Sequence, residues 1–165
     1  MPPMRTAGIA VLAVLAPLLA ACGPVPGGSL AGAPAPVPAD WSAALADGKA
    51  FCEIESRPRD PHSIQLECFL HDGALHVQSH RWALSPWWPA QSWAEIWIAE
   101  PAVRVRLDGD LYDLRAVHVT DPVQREAVLR ARGYDPVPDG IAVFRFEPRD
   151  APAAGAAAPR SRAGT

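Results

Sequence analysis

Five tryptophans fall within sixteen residues, at Trp82, Trp87, Trp88, Trp93 and Trp97, and a basic stretch holding Arg57, Arg59 and His62 precedes them. Indole rings give large contact area with few rotatable bonds, which suits an apolar pocket, a grip on a planar ring or a self-association surface. Trp93 and Trp97 stand at i and i+4 and are expected in the core; Trp87 and Trp88, set between prolines, suit a pocket or interface as well as a core. Arginine's planar fork pairs bidentately with anionic oxygens, so Arg57 and Arg59 could hold a phosphate, the plainer reading being solvated turn charges. The histidines His62, His71, His76, His80 and His118 lack the helix context that zinc hydrolases use, so no metal is expected. Period-two placement puts His76 and His80 on an outer strand face, as surface residues. With no Gly-x-Ser-x-Gly elbow and no Walker loop, serine-hydrolase and nucleotide-triphosphatase chemistry lack a starting motif.

The three cysteines divide by position. Met1 to Arg5 carry one positive charge, Ala7 to Ala20 form an apolar run, and Leu19-Ala20-Ala21-Cys22 closes it with small residues. The run is short for a bilayer-spanning helix, which needs about 20 residues, and Gly23-Pro24 follow at once. This N-terminus resembles that of bacterial lipoproteins, with a lipobox ending at Cys22. The resemblance implies export, removal of residues 1–21, diacylglycerol on the Cys22 thiol and an acylated new N-terminus. The chain is then anchored to the cell membrane or outer membrane and faces the periplasm or exterior, Gly23 favouring the outer membrane where two are present. With Cys22 committed, Cys52 and Cys68 remain as a pair for a disulfide in an oxidising compartment.

The chain of 165 residues carries 15 basic and 18 acidic side chains, and loss of residues 1–21 removes only Arg5, so no global basic field attracts nucleic acid. Residues 22–40, rich in Pro, Ala and Gly, read as a disordered tether, and residues 151–165 as a disordered tail. A single domain over residues 41–150 remains. Its apolar residues alternate. A hairpin centred on Asp60 sets Cys52 opposite Cys68, Ile54 opposite Leu66 and Ser56 opposite Ile64, all on one face. Asp72-Gly73 sets Leu70 against Leu75, Cys68 against Val77 and Leu66 against Ser79; Asp108-Gly109 sets Val105 against Tyr112 and Val103 against Leu114. A last strand spans Gly140 to Glu147. One helix is expected from Gln91 to Glu100; a second starts at the Asp121 cap with Pro122 and ends near Gly133.

From Phe51 to Pro148 this order of elements, with Glu55-Ser56-Arg57-Pro58-Arg59-Asp60-Pro61-His62, Asp72-Gly73-Ala74-Leu75-His76-Val77-Gln78-Ser79, Ser85-Pro86-Trp87-Trp88, Pro101-Ala102-Val103-Arg104-Val105 and Val119-Thr120-Asp121-Pro122, resembles the split β-barrel superfamily of flavin- and deazaflavin-binding nitroreductase-like proteins. The resemblance implies an α+β fold, mainly β, with about six antiparallel strands and two short helices. It implies cofactor contacts from Arg57, Arg59 and His62 at the first hairpin, from Ser79 and Arg81 after the third strand, and from Trp87 and Trp88 beside the ring. The cofactor it points to is FMN or a deazaflavin, and a homodimer follows by analogy. The chain departs from the family pattern at Ile96, where many relatives carry asparagine, and in lacking a glycine in the first hairpin. Two readings therefore stand: a lipid-anchored domain that binds an aromatic small molecule and acts as a reductase if catalytic, or a non-enzymatic envelope lipoprotein using its barrel and tryptophans for self-association or partner binding.

Overall fold

A computed structural model of the chain describes residues 27–57, 59–86 and 91–150. Cys22, the signal segment, Trp87, Trp88 and the C-terminal tail lie outside the described residues.

Six strands, β1 (Lys49–Ser56), β2 (His62–His71), β3 (Ala74–Gln78), β4 (Ala102–Leu107), β5 (Asp110–His118) and β6 (Val143–Pro148), close into an antiparallel barrel in the order β1-β2-β3-β6-β5-β4. Helix α1 (Trp93–Ala99) joins β3 to β4, and α2 (Pro122–Ala131) joins β5 to β6. This is the expected split barrel with two short helices. Each strand has a hydrogen-bonded neighbour on both sides, although the ladders do not run the strands' full length.

Turn chemistry fixes two of the hairpins. Asp72 and Gly73 have φ of 49° and 73°, and Asp108 and Gly109 have 50° and 89°. Two successive residues in the left-handed region make the two-residue turn whose twist matches antiparallel strands. The pairings Leu70 with Leu75, Cys68 with Val77, Val105 with Tyr112 and Val103 with Leu114 all follow as expected. The second ladder ends at Cys68 and Val77 on that side, however, and Ser79 leaves β2 to bond with Ala142.

The first hairpin corrects the expected register by two residues. Cys52 faces Leu66, Ile54 faces Ile64 and Ser56 faces His62, so the hairpin closes over a loop of residues 57–61. Arg57, at φ 55°, starts that loop, and the Asp60 N–H donates to the Arg57 carbonyl at 2.9 Å. A shift of two keeps every side chain on its face, because the pleat repeats every two residues. Cys52 and Cys68 are therefore diagonal rather than direct neighbours, with Cα atoms 5.9 Å apart, and they form the disulfide inside the barrel.

The interior is filled from both ends of the sequence. Ile54, Leu75, Val77, Val103, Val105, Leu114 and Phe144 are fully buried, and α1 inserts Trp97 against Phe144 and Phe146, with ring centroids 5.4 and 5.9 Å away. The helix begins with a reciprocal cap: Ser92 Oγ accepts from the Glu95 N–H at 3.2 Å and Glu95 Oε2 from the Ser92 N–H at 2.8 Å. A second apolar cluster lies outside the barrel, where α2 covers Phe69, Val119, Ile141 and Val143 with Val128 and Leu129. Asp121 caps α2 through the Gln124 N–H at 2.8 Å, and Gly133, at φ 87°, follows its end.

Two expectations are corrected by these layers. His76 does point outward but is buried at 4% exposure, because α2 roofs that face of β3. The segment expected to be a free tether is laid along the barrel from Gly27 onward. Gly27 bonds with Ser63, Leu30 is buried and its N–H donates to Glu55, Arg104 donates to the Leu30 and Gly32 carbonyls at 2.7 and 2.9 Å, Arg106 donates to Ala31 at 2.7 Å, and the Ala35 N–H donates to Leu111 at 2.7 Å. Proline and glycine keep this strap extended, and the barrel's arginines satisfy its carbonyls.

Candidate functional site

The loop between β1 and β2 and the junction between α1 and β4 meet on the outside of the barrel. Between them is a cavity of about 540 Å³ lined by Arg57, Arg59, Asp60, Glu100, Pro101, Ala102, Arg115 and Arg149. The volume lies within the range of small-molecule sites. Its lining holds four arginines against two carboxylates.

These cations are not equivalent. Arg115 donates to Glu147 at 2.8 Å, and Arg149 donates to the Val103 carbonyl at 2.9 Å and stands 3.4 Å from Asp113. Burial alone would raise the Glu147 carboxyl, but bonds from Arg115 and Arg145 outweigh it and hold the group below its ordinary range. Arg115 and Arg149 are thus engaged by the barrel. Arg57 is held only loosely, 4.0 Å from an Asp60 carboxylate that is itself open to water. Among the described residues, no carboxylate forms an ion pair with Arg59. The guanidinium Nε atoms of Arg57, Arg115 and Arg149 are buried without a protein partner. Such donors are costly to leave unmet. An anion at this rim would meet Arg57 and Arg59 first.

The structure brings together some of the residues that sequence singled out and separates others. Arg57 and Arg59 share the cavity, whereas His62 is exposed beyond it. Ser79 is buried and occupied: its Oγ accepts from the Ala142 N–H at 2.8 Å and donates to the His80 carbonyl at 2.9 Å. The Arg81 guanidinium lies 4.9 Å from the centroid of the exposed Trp82 ring, and neither residue lines the cavity. Trp93 and Trp97 are core residues with centroids 4.5 Å apart. Arg115 was readable in principle, since the Asp108-Gly109 turn that pairs Val105 with Tyr112 also pairs Ala102 with Arg115. Nothing local marks Arg149, which arrives after β6 from the far end of the domain.

A second hollow of about 370 Å³ lies between α2 and β3, lined in part by His71, Asp72, His76, Val123 and Arg145. Desolvation lowers the His76 pKa from 6.5 to about 4, against the raising effect of its bond to the Ala74 carbonyl. His76 Nδ1 is 3.0 Å from that carbonyl, so the neutral ring carries its proton on Nδ1. Among the described residues no group of three or more His, Cys, Asp or Glu side chains could hold a metal.

Neither a protein-family model nor a curated protein matches the sequence. Among solved structures, the chain is similar to one described as "Putative Pyridoxamine 5'-phosphate oxidase" from Listeria innocua, with 19% identity, a TM-score of 0.49, and coverage of 65% of this chain and 89% of that one.

Proposed function

We propose that this chain is a lipid-anchored envelope lipoprotein whose barrel binds a phosphate-bearing small molecule at the Arg57–Arg59 cavity, with a flavin mononucleotide-type ligand the first of that class to test. The observation that carries the reading is the pairing of an uncommitted cation, Arg59, with the loosely held Arg57 on the rim of a cavity large enough for a small molecule. Guanidinium forks match phosphate oxygens, and charge-assisted bonds are about twice as strong as neutral ones. The anchor follows from the lipobox at Cys22, and the interior Cys52–Cys68 disulfide suits an exported protein.

The fit to a flavin is partial. The arginines suit its phosphate, while the described lining offers only Pro101 and Ala102 as apolar ground and no aromatic ring for the isoalloxazine. A bound flavin would itself supply any hydride chemistry. This chain's residues are assigned binding and orientation, and no proton or hydride step.

The test uses the Cys22→Ser chain without residues 1–21, titrated with flavin mononucleotide and with riboflavin, which lacks the phosphate, while tryptophan emission is followed. Saturable binding of the first, at least tenfold tighter than the second, is expected, and Arg57→Ala/Arg59→Ala should erase the difference. Equal affinity for both, or no binding of either, would remove the phosphate reading. Mass spectrometry of the chain extracted from membranes tests the anchor: an unmodified Cys22 thiol would refute it.

A further inference from the structure

The arginine cavity lies at the end of the barrel where the chain comes in from its anchor. Gly27 is pinned to Ser63 by a bond in each direction, and Ser63 faces Glu55 at the top of the β1–β2 ladder. The loop that carries Arg57 and Arg59 begins two residues after Glu55 and ends two residues before Ser63. From this point the strap runs away from the loop, through Leu30 at Glu55 and Ala31 at Arg106, to Ala35 at Leu111 and Trp41 at Gly73.

Only five residue steps separate Cys22 from Gly27, so chain length holds Cys22 within about 18 Å of the Gly27 backbone that bonds with Ser63. Asp60, three steps from Ser63, is within about 11 Å of it. A tether free as far as Asp40 would let the barrel roam; pinning at Gly27 removes that slack and brings the chain in from Cys22 beside the arginine loop. Fixed cations within roughly a Debye length, about 8 Å at physiological ionic strength, feel an anionic surface.

We propose that the cavity seats the headgroup phosphate of an anionic phospholipid in the membrane that carries the anchor, so that the barrel docks on the bilayer through Arg57 and Arg59. This deepens the phosphate-binding reading and rests on it and on the anchor. Arg104 and Arg106, on the neighbouring strand face, are taken up by strap carbonyls and by Glu55, Asp113 and Glu53, so they do not compete for the headgroup. The lining keeps a surplus of two positive charges, from four arginines against Asp60 and Glu100. Counting Glu147 and Asp113, which hold Arg115 and Arg149 from outside the lining, cancels that surplus. The two loop arginines must therefore carry the attraction.

The experiment is co-sedimentation of the Cys22→Ser chain without residues 1–21, which has no lipid of its own, with vesicles of phosphatidylcholine alone or of equal parts phosphatidylcholine and phosphatidylglycerol. Binding to the mixed vesicles alone is expected, and Arg57→Ala/Arg59→Ala should weaken it about thirtyfold, two basic side chains near an anionic surface being involved. Lys49→Ala, which removes an exposed cation at the other end of β1, should leave binding unchanged. Flavin mononucleotide binding without vesicle binding would overturn the lipid assignment and keep the phosphate site. Loss of both ligands would overturn both readings. Equal binding to the two vesicle types, or binding to mixed vesicles that survives the double substitution, would also overturn the docking proposal.

Discussion

His76 shows how one side chain can lie where strand alternation puts it and still behave unlike a surface residue. Its ring stacks near Phe69, with centroids 5.9 Å apart, under the roof of α2. Desolvation depresses its pKa from 6.5 to about 4, so between those values the unfolded chain binds a proton that the folded chain refuses. Stability must therefore fall as pH drops from about 6.5 toward 4, by on the order of 3 kcal/mol, and level off below. His118, lowered in the same direction by burial and then by Arg125, adds to the slope, while His71, Asp72 and Arg145 face His76 and set its local field. In urea titrations across this range His76→Phe should flatten the dependence; an unchanged slope would show that the ring titrates normally. Sequence revealed the face of His76 but not its cover, because burial there depends on where a helix about fifty residues later docks. The cavity divides similarly. Arg57 and Arg59 stood out as a basic turn, whereas Arg115 and Arg149 join them only through the closing of the barrel.

Among the elements, the short turns were the most legible part of the chain, and the longer loop the least. Asp-Gly dictates left-handed backbone at both positions, which leaves one register for β2–β3 and one for β4–β5. The Arg57 to Pro61 connection carries no such dictate, and alternation alone accepts any shift of two, which is the size of the correction observed. The disulfide survives the correction because a diagonal pair remains within reach, its Cα atoms 5.9 Å apart. Cys52 and Cys68 are 16 residues apart, and a crosslink closing a loop of that size stabilises by about 3 kcal/mol through the unfolded chain. Cys52→Ala/Cys68→Ala should accordingly lower the urea midpoint by a comparable free energy, with a further loss from the space left in the core. A midpoint equal to that of the parent would mean that the bond constrains nothing the fold does not already constrain. Both sulfurs are fully buried, so mild reductant should act on the folded barrel far more slowly than on the denatured chain.

At the scale of the whole molecule, the strap packs on the finished barrel, although composition assigned those residues to a tether. Their low hydrophobicity is real, but one buried leucine and a row of carbonyl partners are enough when the receiving surface is already built. Glu55, 5% exposed, depends on this contact: its carboxylate accepts from the Leu30 N–H and stands 3.7 Å from Arg104, which also holds the strap. A buried carboxylate that loses a partner is penalised more heavily than an exposed ion pair is rewarded. Ordering the strap costs about 1–2 kcal/mol of backbone entropy per residue, so only part of the contact energy survives as net stability. A chain starting at Asp40 should therefore still form the barrel yet melt roughly 10 °C below one starting at Gly23. In the longer chain the Leu30 and Ala35 amides should be protected from hydrogen exchange, and Arg104→Met should strip that protection while the interior strands keep theirs. Equal melting temperatures for the two chains, with Leu30 and Ala35 exchanging at the rate of free peptide, would return residues 27–40 to the role of a loose tether and remove the strap's support for the proposed docking.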